Sequence, residues 1–75
     1  MSLKGYSLSL LKANQAANQK SIGVQLGKYC IDKEIPVVDV AETFGVSRQT
    51  VYSWFIGQHE PQAEMAEIIS NWLKG

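Results

Sequence analysis

The stretch Val37-Val38-Asp39-Val40-Ala41-Glu42-Thr43-Phe44-Gly45-Val46-Ser47-Arg48-Gln49-Thr50-Val51-Tyr52-Ser53-Trp54-Phe55-Ile56-Gly57 decides how this chain folds. Val37, Val40, Ala41 and Phe44 repeat at i, i+3, i+4 and i+7, one face of a short helix. Gly45 follows where a left-handed C-cap is wanted. Ser47 then caps a second helix running from Arg48 to about Ile56. The inward positions of this second helix are Val51, Trp54 and Phe55, and Gly57 ends it. A turn this short makes the two helices cross steeply instead of packing antiparallel. Such a crossing needs a small residue where the helices meet (Ala41) and a glycine free to take positive φ (Gly45). It also needs apolar wedges, which Val40, Phe44, Val46, Val51 and Trp54 supply.

Outward from this unit the pattern stays helical. Ile22, Leu26, Tyr29 and Cys30 share one face of a helix over roughly 21–33, with Ser21 as N-cap. Pro36 forbids its continuation through Ile35. Beyond the polar loop Gln58-His59-Glu60-Pro61, a last helix over about 63–74 is amphipathic through Met65, Ile68, Ile69, Trp72 and Leu73. Residues 20–75 therefore read as one domain, and 1–19 as an N-terminal arm or short element. Within that element Tyr6 to Leu10 alternates as a strand would, yet Leu8, Leu11 and the Ala13/Ala16/Ala17 group suit a helix capped by Ser7. Asn14 to Gln19 reads as a frayed helix or a linker. The fold class is all-α, a small bundle of four or five helices.

Composition narrows the function. The chain of 75 residues is 45% hydrophobic, enough for one small core. No apolar run reaches the ~18 residues of a membrane span, and no signal region opens the chain. A single cysteine, Cys30, excludes an internal disulfide framework and suits a reducing cytoplasm. With one Cys and one His, neither a zinc site nor Cys–His nucleophilic catalysis has a supporting motif, so neither enzyme activity nor a cofactor is expected. The net charge of zero conceals a polarity. Lys4, Lys12, Lys20 and Lys28 stand without an acid in residues 1–31, whereas Asp32, Glu34, Asp39, Glu42, Glu60, Glu64 and Glu67 outnumber Lys33, Arg48 and Lys74 in the rest. Such polarity orients a small protein toward a polyanion.

The run from Ala41 to Trp54 resembles the helix-turn-helix of the phage Cro and repressor family, also called the xenobiotic-response-element family. Gly45-Val46-Ser47-Arg48-Gln49-Thr50-Val51 is its most typical part, and Trp54, Gly57 and Pro61 extend the likeness, which covers about Ser21 to Leu73. The resemblance implies a lambda-repressor-like bundle whose helix after the turn enters the DNA major groove. It implies base contacts from Arg48, Gln49 and Ser53, and a phosphate or capping role for Ser47. On the outer side of the same helix, Tyr52 is a candidate phosphate contact. Arg forks onto guanine O6/N7 and Gln onto adenine N6/N7. Where the family usually has Gln, this chain has Val37, which leaves only the first backbone amides of that helix to meet a phosphate. Lys20 and Lys28, with Lys4 or Lys12 on the arm, are the candidates to make up the missing charge, since the loop offers His59 and Glu60 in place of Lys or Arg. Many relatives hold an ion pair at the positions of Cys30 and Phe55, and here both have become apolar.

The implied activity is that of a DNA-binding transcriptional regulator from a phage or bacterium, at work in the cytoplasm on the nucleoid. A homodimer is expected on a palindromic operator, with half-sites about 34 Å apart. Its dimer surface would centre on Trp72 and Leu73, joined by Tyr6–Leu10, unless the chain's own N-terminal segment covers the last helix. The alternative reading is a helix-turn-helix used as a protein-interaction module, an adaptor or anti-repressor with little DNA affinity. Zero net charge, Val37 and Glu60 favour it.

Overall fold

The computed structural model describes residues 6–75, so Lys4 lies outside the described residues. Five helices follow in order: α1 (Leu8–Ala16), α2 (Ile22–Asp32), α3 (Val37–Phe44), α4 (Arg48–Phe55) and α5 (Ala63–Lys74). The radius of gyration is 11.0 Å. Helix α2 is the hub and packs on α1, α4 and α5, while α3 packs on α4.

Helix α1 settles the open reading of the N-terminal segment. Ser7 caps it by accepting from the Leu10 amide at 3.1 Å, so residues 8–16 are a helix and not a strand. Leu10 and Leu11 lean on the core, and Asn14 is 2% exposed. Asn14, expected at the start of a frayed stretch, is thus a helical core residue. Tyr6 is fully buried, stacks on Phe55 with ring centroids 6.0 Å apart, and donates its hydroxyl to the Ile35 carbonyl at 2.6 Å. Burial raises its phenol pKa.

Around α2 the buried surface is wider than one face. Gly23, Val24, Leu26, Gly27 and Cys30 are all buried, because the helix has neighbours on several sides. The glycines bring α4 close: a Cβ on Gly23 would lie 2.9 Å from the Trp54 carbonyl oxygen, and one on Gly27 would lie 2.9 Å from Phe55 Cγ. Tyr29, expected inward, is instead 39% exposed and rests edge-on against Trp72 at 5.5 Å. Cys30 is fully buried, and loss of water pushes its thiol pKa up to about 12. It is a small core residue, not a reactive thiol.

The chain leaves α2 through Glu34, whose φ of 58° is left-handed. This lets the Ile35 amide reach back to the Cys30 carbonyl at 2.8 Å and close the helix end. A side chain in that conformation costs about 1–2 kcal/mol, which glycine avoids apart from its extra chain entropy. Glu34→Gly is therefore expected to stabilise the protein by about 0.5–1 kcal/mol, read as a higher urea midpoint at constant slope. A lower midpoint would mean that the carboxylate makes a contact worth more than the strain.

Between α3 and α4 the expected turn is present. Gly45 takes φ of 68°, the Val46 amide donates to the Ala41 carbonyl at 3.0 Å, and Ser47 caps α4. Helix α5 is covered from within the chain by α2 and by Phe44, whose ring meets Trp72 edge-on at 5.5 Å. Tyr6, the first described residue of the N-terminal segment, packs on Phe55 and Ile35 instead.

Candidate nucleic-acid interface

Helix α4 divides its side chains sharply. Val51, Trp54 and Phe55 are buried at 0%, 5% and 0% exposure. Arg48, Gln49 and Tyr52 are exposed, and Ser53 is half-buried. The inward set bolts the helix down, so the outward set is presented on a fixed backbone. Asn14 adds a clamp at the far end, its Nδ2 donating to the Phe55 carbonyl at 2.6 Å and to the Val24 carbonyl at 3.2 Å. Phe55 ends the helix, where carbonyls lack intrahelical partners; the Asn14 amide supplies one.

At the other end, the Ser47 hydroxyl accepts from the Thr50 amide at 3.1 Å and pairs with Thr50 Oγ1 at 2.9 Å. Its role in the fold is the cap. Together with Gln49, Thr50, Ser53 and His59, Ser47 lines a shallow depression beside the outer face of α4. Sequence alone does not name Thr50 as a site residue, and it names His59 only as what the loop offers in place of Lys or Arg. The spacing Ser47–Thr50–Ser53 points to Thr50, but His59 arrives only because the chain turns back. Gly57 at φ of 76° makes that turn, and the Gln58 and His59 amides both donate to the Ser53 carbonyl, at 3.0 and 3.3 Å. Glu60 is occupied with a different element: its Oε1 accepts from the Ser21 hydroxyl at 2.8 Å, at the N-terminal cap of α2.

The other expected residues are not gathered there. Lys20 is exposed in the link before α2, rather than on the helix itself. Lys28 is exposed but donates to Gln19 Oε1 at 2.6 Å and lines a separate groove with Leu11, Gln15 and Asp32. The Val37 side chain is 7% exposed and belongs to the core. Only its backbone is left for an anion, at a helix start where Pro36 provides no side-chain cap.

Comparison with family models, curated proteins and solved structures found no match to the chain. The chemistry of the face must therefore be read from its own groups. Arg48 offers a planar cationic fork, Gln49 a neutral donor–acceptor pair, and Ser47, Thr50 and Ser53 hydroxyls. None of the residues lining the depression is acidic. Among the described residues no three His, Cys, Asp or Glu side chains gather as metal ligands would, and no helix is long and apolar enough to cross a membrane.

Proposed function

We propose that this chain is a DNA-binding transcriptional regulator of the Cro and repressor kind, a helix-turn-helix protein with α3 and α4 as its two helices. In this reading α4 lies in the major groove, Arg48 and Gln49 read base edges, Ser53 adds a contact, and Tyr52 and Lys20 meet phosphates. The observation that carries it is the exposure of Arg48 and Gln49 on the first turn of a helix whose opposite face is fully buried. Those two side chains are the commonest direct readers of guanine and adenine.

One such helix spans too few base pairs to single out a genomic site, so a homodimer on a palindromic operator completes the proposal. Tyr6 is fully buried and has no place on the dimer surface, and Trp72 is half-covered by Phe44 and Tyr29. Ile68, 53% exposed on α5, and Leu8, 54% exposed at the start of α1, are apolar groups free to meet a second copy.

Selection from a random DNA pool tests both parts, since the recovered sequences should be palindromic. On that site Arg48→Ala is expected to cost about 1–3 kcal/mol and relax preference at one base pair. Equal weakening on selected and random DNA would make Arg48 a phosphate contact instead. The alternative, a protein-interaction module, draws on the zero net charge and the buried Val37 side chain. It takes over if no duplex is retained at low salt.

A further inference from the structure

We propose that the groove between α1 and α2 binds a small primary amine, with Asn14 Oδ1 as the acceptor at its floor and Asp32 and Glu34 as its anions. The site does not depend on the DNA reading. The groove has a volume of about 550 Å³, within the usual range of small-molecule sites. Asn14 lines it although that residue is only 2% exposed. Both protons of its Nδ2 are committed, one to the Val24 carbonyl at 3.2 Å and one to the Phe55 carbonyl at 2.6 Å. Those carbonyls can only accept, which fixes the end of the amide that faces them. Oδ1 is therefore the free end, and no donor of a described residue reaches it. Among the described residues every fully enclosed side-chain oxygen has a partner, so Oδ1 must open onto the groove. A core residue thus offers an unused acceptor to whatever enters.

The rest of the lining selects the donor. Leu11 and Ile31, both half-buried, supply an aliphatic wall. Asp32 and Glu34 are exposed at the C-terminal end of α2, where the helix's own carbonyls add negative potential. The cation of the lining is Lys28, one turn back, and its Nζ donates to Gln19 Oε1 at 2.6 Å. Lys33 lies over the Tyr29 ring, 6.0 Å from its centroid, and is not part of the lining. Two carboxylates thus stand against one ammonium. An alkylammonium suits every part: it donates to Oδ1, faces the carboxylates, and lays its carbon chain on the aliphatic wall. A hydrogen bond on Oδ1 also polarises the amide and strengthens the two bonds that Nδ2 makes. The ligand so tightens the clamp on the end of α4.

The test titrates the isotope-labelled full chain with n-butylamine, followed by NMR at constant pH and ionic strength, beside butyrate and n-butanol. The backbone amides of Leu11, Gln15, Ile31 and Asp32 should shift saturably with the amine, and the side-chain amide of Asn14 with them. Asp32→Asn combined with Glu34→Gln should weaken the amine about 3- to 10-fold. Both side chains are exposed, so circular dichroism of this variant should match the parent. The melting temperature of the parent should rise with the amine and not with butyrate. A titration without saturation, or shifts away from α1 and α2, overturns the site. An equal response to butyrate or butanol, or undiminished affinity in the double variant, overturns the amine as ligand class. Backbone shifts with the Asn14 side chain unmoved overturn Oδ1 as the acceptor. Tighter binding of a blocked lysine tripeptide than of butylamine would make the occupant a partner's side chain and overturn the free ligand.

Discussion

Phe55→Ala is expected to destabilise the protein by about 3–5 kcal/mol, the usual range for removing a buried aromatic ring. Phe55 has no exposed surface, stacks on Tyr6, and is the ring that Gly27 is small enough to admit. Removing it opens a cavity bounded by parts of α1, α2 and α4 that are each fixed by other contacts, so little collapse can fill it. A domain of 75 residues has about 4–11 kcal/mol of stability in all. The variant should therefore be partly unfolded at ambient temperature, or melt on the order of 15–30 °C lower. Urea and thermal unfolding followed by circular dichroism measure this directly. A loss below about 1 kcal/mol would show that the ring is not in the core, against typical values for such sites.

Gly23→Ala carries the second large effect, and its sign is informative. On an open helix surface alanine is better than glycine by about 1 kcal/mol. Here the new methyl would lie 2.9 Å from both the Trp54 carbonyl oxygen and Trp54 Cβ, and 3.1 Å from Trp54 Cα. Two of those atoms are backbone, so no rotamer change relieves the clash. Helices α2 and α4 must separate, and overpacking of this kind costs about 1–3 kcal/mol net. The same unfolding measurement applies. A gain in stability would mean that the two helices do not approach as closely as described.

The parts of the fold legible in the sequence are those where period and punctuation coincide. From Val37 to Gly57 the apolar repeat is punctuated by three residues with definite roles: Gly45 turns left-handed, Ser47 caps, and Gly57 turns the chain after α4. The inward trio Val51, Trp54 and Phe55 and the outward Arg48, Gln49 and Tyr52 follow from that register. Helix α1 was ambiguous for an equally physical reason. One of its inward residues is Asn14, a polar side chain whose burial is made tolerable by carbonyls on α2 and α4. No periodicity rule scores such a residue as core. Tyr29 failed the opposite way, because the glycine side of α2 took the close contact and turned the tyrosine to the flank. The depression at His59 was illegible because a returning loop, not a helical repeat, brings its two sides together.

The Asn14 clamp also bears on how the chain is made. A ribosome releases the N-terminal segment first, yet the second of the two Asn14 acceptors comes 41 residues later and the Tyr6 hydroxyl finds its own 29 residues later. A nascent chain that has emerged only as far as α3 already offers the Val24 and Ile35 carbonyls, but it lacks the Phe55 carbonyl that completes the Asn14 clamp and the Phe55 ring on which Tyr6 stacks. The contacts that cover Asn14 and Tyr6 are complete only once Phe55 has been made. Expressing the segment from residue 20 onward would leave the Phe55 carbonyl without its partner and one side of α2 bare.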